Sequence, residues 1–324
     1  MANQILLDSF RRRLTWIATH MRFVTLDMVL GAIERGHRLP RRPVLLTFDD
    51  GLLNNIEFAL PAMREHNVRP VFFIPTEPLD HPSGLLWYER LGFIVGWAPG
   101  QVLNVPSAFG KGLPISTPAQ RESSNEVAFD MISRLTRTHR EEVLLELNGL
   151  NKPATPQEET HSLFYKHMTW EQLKGISGEW VDVGGHTETH AALSRMSDEE
   201  STREVRENMQ RLFATLGVKP AAFAYPFGSR DFFGEREENI VREAGYRIAF
   251  SSLSPHKSAD ARFAMPRRNV YKVSFDFSRP FSPECSIGRW LGPENNGAWP
   301  TLRRFLARVS RIGCTGCSPR TERH

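Results

Sequence analysis

The chain has 324 residues, with 41 Lys and Arg against 37 Asp and Glu, a formal charge of +4, 40% hydrophobic and 24% charged residues. This balance fits one large α/β domain with appendages or two modest domains, and excludes a chain too polar to build a core. Nothing approaches the roughly 18 to 20 consecutive apolar residues of a membrane span. The charge excess sits in a C-terminal tail, with six arginines and one glutamate between Pro300 and His324, so the basic balance predicts no nucleic-acid partner.

At the N-terminus, MANQILLDSFRRRLTW places apolar residues before its arginines, the reverse of a secretory signal. The expectation is a cytoplasmic protein, although a trimmed precursor would read the same way. Residues 8 to 36 carry Leu14, Ile17 and Met21 at helical spacing, followed by VTLDMVLGAI, and predict one or two helices. LPRRP breaks the pattern at 39–43. VLLTF at 44–48 is then a continuous apolar run, as expected of a strand buried on both faces. A helix with Ile56, Leu60 and Met63 on one side and a second strand, VFFIP after Pro70, complete a β-α-β unit with parallel strands. Residues 78 to 165 are rich in Pro, Gly, Ser and Gln with helical patches, EVAFDMISRL and REEVLLELNGL, and read as a long insertion positioned to cover a site.

Regular alternation resumes at Thr169, where TWEQ has capping-box form, and continues through the strand WVDVGG. A second box at Ser197 to Glu200 opens an amphipathic helix with Val205, Met209, Leu212, Phe213 and Leu216. AAFAYPFG, a helix over 235–244 closed by Gly245, YRIAFSS and RFAMPRRNVYKV follow. Repeated β-then-α order predicts helices packed round a parallel sheet, open or closed into a barrel. The expected division is a helical extension over 1–42, a catalytic domain over 43–275, and a C-terminal extension over 276–324. Cys285, Cys314 and Cys317 all fall in that last part, and one CxxC without further ligands does not make a structural zinc site.

Two short stretches carry chemistry. VLLTFDDG ends a buried strand on Asp49 and Asp50, adjacent carboxylates that repel unless they form a solvated turn or something positive sits between them and another part of the chain. VDVGGHTETH likewise follows a strand and spaces His186 and His190 four apart, so that their imidazoles can meet at one point. Singly, DDG also suits a helix N-cap and H-x-x-x-H a pair of surface histidines. Jointly, both lie at the C-terminal ends of parallel strands, where sites assemble. Two imidazoles and one carboxylate hold a divalent cation with positions left open, and the second aspartate remains to move protons.

VLLTFDDG, GGHTETH and AFAYPFG resemble the first three motifs of the polysaccharide deacetylase family, the NodB-type carbohydrate esterases of family four, over about Val44 to Val270. The resemblance implies a distorted (β/α) barrel of seven strands and metal-dependent hydrolysis of an N-acetyl group on a hexosamine. It also implies Asp49 as general base, and Asp50, His186 and His190 as ligands of a divalent metal, commonly zinc. In the Tyr225-Pro226-Phe227-Gly228 loop the family pattern uses the backbone N–H after the proline to help hold the oxyanion. Trp87 and Tyr88, in GLLWYERL, are candidates for stacking on a sugar ring, or for core packing.

The sequence departs from the family pattern twice. The arginine that braces the catalytic aspartate, two residues before the proline, is here Ala224, and Arg267 at the end of a later strand is the candidate replacement. The late L-x-H motif that supplies a general acid is missing, and His256 is the nearest candidate by position. A carbohydrate substrate is expected. Hydrolysis of a different amide, such as a formamide or a non-sugar amide, and glycan binding without turnover are the competing readings.

Overall fold

The computed structural model describes residues 2–81, 84–106, 109–153, 166–252 and 260–267. The chain opens with α1 (Ala2–His20), β1 (Arg22–Phe23) and α2 (Leu26–Arg35), so the predicted helical region is two helices joined through a short strand. Thr25 starts α2 by accepting from the Met28 N–H. Leu14 is buried in the same cluster as Leu60, Phe72 and Val181, which makes α1 a wall of the main core.

The run expected as one strand over 44–48 is divided. β2 (Pro43–Val44) pairs with β1, whereas β3 (Thr47–Phe48) pairs with β4 (Val71–Ile74), and Leu46 accepts from the Val71 N–H at the changeover. Hydrophobic periodicity cannot report this division, because both halves are equally apolar. A π-turn over Asn55–Ala59 and α3 (Leu60–Arg64) form the crossover to β4.

The insertion holds α4 (Trp87–Trp97), the hairpin β5 (Val102–Leu103) and β6 (Leu113–Pro114), α5 (Pro118–Ile132) and α6 (Arg137–Asn151). Leu91, Ile94, Leu103, Ile115, Leu144 and Leu147 give it a buried cluster of its own. After it come α7 (Trp170–Ile176), β7 (Asp182–Gly185), α8 (Asp198–Leu216), β8 (Ala222–Ala224), α9 (Glu235–Glu243), β9 (Ile248–Ser251) and β10 (Met265–Pro266). The capping boxes form as read: Thr169 Oγ1 accepts from Gln172 N at 3.1 Å, and Ser197 Oγ from Glu200 N at 3.2 Å. On α8, Val205, Met209 and Leu212 are buried, but Phe213 is 42% exposed, because the inward stripe runs instead through Ser201, Glu204 and Asn208.

Six strands form one parallel sheet in the order β10-β9-β8-β7-β4-β3. Among the described residues the sheet therefore has six strands, where the resemblance implies seven. It is curled into a half-barrel, and the ends of β3, β7, β8 and β10 deliver Asp49, His186, the Tyr225 loop and Arg267 to one mouth. No described helix is long and apolar enough to cross a membrane.

The paired glycines that end β7 answer a packing demand. A Cβ on Gly184 would stand 2.5 Å from the Phe73 ring and 2.8 Å from the Ala222 carbonyl oxygen, a backbone atom of the neighbouring strand. Gly184→Ala should therefore destabilise the fold by about 2 kcal/mol or more in urea unfolding, within the usual cost of overpacking. Gly92→Ala, in α4 with nothing within 4 Å of the added methyl, should stabilise by about 0.5–1 kcal/mol in the same assay.

Candidate metal centre and active site

Asp50 lies two positions past the last residue of β3 and adopts φ +72°, a left-handed conformation that turns the chain sharply at the sheet's end. His186 follows β7 directly. Its Nδ1–H donates to the Ala224 carbonyl at 2.7 Å, which leaves Nε2 as the bare nitrogen facing Asp50. His186 Nε2 and His190 Nε2 lie 3.5 and 3.2 Å from the same oxygen, Asp50 Oδ1. That oxygen is buried and has no hydrogen-bond partner among the described residues.

One ligand atom from each of Asp50, His186 and His190 falls within 4.8 Å of the others, the one such cluster of His, Cys, Asp or Glu among the described residues. Two imidazole nitrogens and one carboxylate oxygen at this spacing, with an orphaned oxygen between the rings, fit a divalent cation. Burial works against charge on Asp50, but the two imidazoles outweigh it and hold the carboxyl well below its ordinary range. Burial also depresses both rings. For His190 it wins, whereas for His186 the two neighbouring aspartates overcome it and raise the imidazole.

Asp49 points elsewhere. Arg267 grips it with both terminal nitrogens, Nη1 to Oδ1 at 2.6 Å and Nη2 to Oδ2 at 2.7 Å, and also donates to Thr47 Oγ1 at 3.0 Å. Burial would raise Asp49, yet the guanidinium prevails and holds it below the usual carboxylate range. Ala224, where the family pattern has an arginine, contributes its backbone carbonyl to His186 instead.

The aromatic candidates divide. Phe227, at φ +61°, sets its ring against His190 with centroids 4.6 Å apart and against Tyr88 at 5.6 Å. Tyr88 reaches the cluster, its O–H donating to Asp50 Oδ2 at 3.4 Å. Tyr225 does not belong to the mouth: it is 1% exposed, stacks on Phe233 and donates to the Phe263 carbonyl. Pro226 is buried at the turn and accepts from the Gly228 N–H. Trp87, a candidate for sugar stacking or core packing, is 3% exposed, stacked on Phe129, with its indole N–H on the His190 carbonyl. Its ring is already occupied by packing, so it holds the His190 loop. His256, Cys285, Cys314 and Cys317 lie outside the described residues.

Several site residues carry no motif signal. Glu204 and Asn208 occupy the buried stripe of α8 four residues apart. Glu204 Oε2 accepts from the Glu188 and Thr189 N–H groups at 3.0 and 2.9 Å. Asn208 accepts from His186 N at 3.2 Å and donates to the Thr187 carbonyl at 2.6 Å. The readable clue is a pair of polar residues interleaved with Val205 and Met209 on a face that must be inside. His167 bridges Leu52 in antiparallel fashion beside the aspartates, is fully buried, and donates from Nδ1 to the Gly84 carbonyl at 3.2 Å. Burial pushes the Glu89 carboxyl, which accepts from Leu86 N, up to about 8.

Residues 128–249 match the polysaccharide deacetylase family model. This span includes both histidines but begins after the two aspartates, which the fold brings to it. Among solved structures, the deacetylase PplD of Streptococcus pyogenes, in complex with acetate, is 14% identical, with a TM-score of 0.53 over 89% of this chain and 87% of that one. A de-N-acetylase from Aggregatibacter actinomycetemcomitans is also 14% identical, with a TM-score of 0.51 over 89% of this chain and 88% of that one. No curated protein sequence matches. The chain thus shares its fold with these two deacetylases, and its residues 128–249 are similar to the polysaccharide deacetylase family.

Proposed function

We propose that the chain is a metal-dependent hydrolase that removes the N-acetyl group from an amino sugar in a polysaccharide, an oligosaccharide or a glycan precursor. The observation that carries this reading is the division of labour between adjacent aspartates: Asp50 faces two imidazoles while Asp49 faces an arginine.

Asp50, His186 and His190 are the residues that would hold the cation, with zinc suited to the donor set. A divalent ion there supplies Lewis-acid polarisation of the acetamide carbonyl and lowers the pKa of water. Asp49 keeps free lone pairs beyond those engaged by Arg267, since each carboxylate oxygen has two. It takes the proton of the attacking water as the C–O bond forms. The Phe227 N–H, on the turn against His190, helps to stabilise the oxyanion. When the C–N bond breaks, the proton held by Asp49 is available to the departing amine, so that acetate and free amine balance the water consumed. Arg267 fixes the orientation of Asp49 and keeps it ionised.

In a test with N-acetylglucosamine oligomers, the purified protein should bind one divalent ion and release acetate, lose release on chelation, and recover it with zinc or cobalt. Asp49→Asn should lower kcat by about 10²–10⁴, the range for loss of a general base, while still binding the metal. Stoichiometric metal without release from any amide would point to a glycan-binding protein, and release from formamides or non-sugar amides alone would point to a different hydrolase.

The Arg267 contact gives a signed pH dependence. Because the guanidinium is the main influence that outweighs burial at Asp49, Arg267→Met leaves only the nearby His186 to oppose burial and raises the aspartate's pKa. The acid limb of kcat/KM should then move to higher pH, with Arg267→Lys shifted less. An unmoved acid limb in Arg267→Met would remove Asp49 from the role of base.

A further inference from the structure

Arg140 is the largest fully buried side chain described, at 1% exposed, although it comes from the insertion helix α6 and not from the sheet or its crossovers. A guanidinium at that depth needs an anionic or acceptor partner. Its Nη2 donates to Thr189 Oγ1 at 2.9 Å, and that hydroxyl in turn donates to Glu204 Oε1 at 2.7 Å. The other oxygen of Glu204 receives the backbone N–H groups of Glu188 and Thr189. On its other side, Arg140 lies over the Trp87 ring at 5.2 Å, and the Trp87 N–H is bound to the His190 carbonyl. Arg140 thus touches both supports of the loop between the two histidines.

That loop is conformationally costly. Thr187 and His190 both sit at positive φ, +62° and +57°, where side chains other than glycine are held only by their surroundings. The surroundings here are a buried carboxylate on α8 and a buried cation on α6. Removing either side chain takes away one of the contacts that frame Thr189, and the turn that aims His190 at Asp50 loses part of its brace.

We propose that Arg140 is a positioning residue for the cation centre, acting through Thr189 and Glu204 on His190, so that the insertion over 78–165 is a working part of that centre. This rests on the Asp50, His186 and His190 reading but not on the identity of the substrate, and its test uses no substrate.

The experiment measures zinc affinity of the full chain by competition with a chromophoric chelator, and records the visible spectrum of the cobalt-loaded protein. Arg140→Met and Glu204→Gln should each weaken zinc binding about 10- to 100-fold, as outer-shell changes do, and alter the cobalt spectrum. Arg140→Lys should recover part of the loss. The double variant Arg140→Met with Glu204→Gln should be no weaker than the worse single one, because both act along one chain of contacts. Thr189→Val, which removes only the relaying hydroxyl in a side chain of the same shape, should weaken binding in the same direction and serves if Arg140→Met does not fold. Wild-type zinc affinity and an unchanged cobalt spectrum in Thr189→Val and in Arg140→Met where it folds, or losses that simply add in the double variant, would overturn the proposal. A wild-type chain that binds no metal overturns both this proposal and the hydrolase reading, whereas one that binds metal normally but releases no acetate removes only the latter.

Discussion

The ion pair between Asp49 and Arg267 joins the two strands that stand furthest apart in the sheet. β3 and β10 occupy opposite edges of six parallel strands, and at about 4.8 Å per strand a flat sheet would separate them by roughly 24 Å. A contact of 2.6 Å between side chains at their ends is possible only if the sheet curls until its edges face each other. The pair is half-buried, with side-chain exposures of 31% and 14%, so its direct contribution to stability is modest. Its consequence is geometric: the curl makes one mouth out of strand ends that would otherwise lie along a line. The Phe73 ring beneath the guanidinium, at 5.2 Å, gives the arginine a floor.

Once the mouth exists, the cation centre is assembled by backbone more than by side-chain choice. Asp50, Thr187, His190 and Phe227 all adopt positive φ, each at a cost of about 1–3 kcal/mol. Such residues persist only where tertiary contacts over-determine them. Asn208 supplies three of those contacts, to His186 N, the Thr187 carbonyl and the Ile74 carbonyl, and so ties the ends of β4 and β7 to one helix. Gly185 makes room for this, since a Cβ there would stand 2.5 Å from Asn208 Oδ1. The rigid side of the site is therefore α8, and the aromatic side, Tyr88 and Phe227, comes from the insertion and the β8 loop.

What the sequence made legible was whatever is encoded locally. The β-α-β alternation, the capping boxes at Thr169 and Ser197, and the placement of DDG and H-x-x-x-H after apolar runs all depend on neighbours within a few positions. Arg267 was legible as a candidate because a strand end near the mouth is a topological inference. The rest depended on distant packing. Trp87 reads equally as a sugar platform or as core, and Tyr225 as part of a loop at the site, yet each is enclosed by packing, against Phe129 for one and Phe233 for the other. Tyr225 and Phe227 are two positions apart with opposite fates, because the positive φ at Phe227 turns the loop between them. Arg140 was hidden most completely: in REEVLLELNGL it reads as one more solvated charge on an exposed helix.

Two adjacent carboxylates can remain ionised in one mouth because each has its own counter-charge, and the sharp turn at Asp50 separates their directions. The cost of this arrangement falls on Asp49, the proposed base. An arginine two residues before Pro226 would brace Asp49 from β8, inside the sheet, whatever the edges did. With Ala224 there, the brace comes from β10, across the seam. The ionisation of Asp49 thereby depends on a contact across the sheet's two edges: without the guanidinium only the nearby His186 would oppose burial, and the carboxyl would move toward its neutral form. Asp50 has no such dependence, since its partners arrive from β7 and its loop. The same seam that shapes the mouth therefore holds the charge on Asp49, the proposed base, whereas the partners of Asp50 do not depend on it.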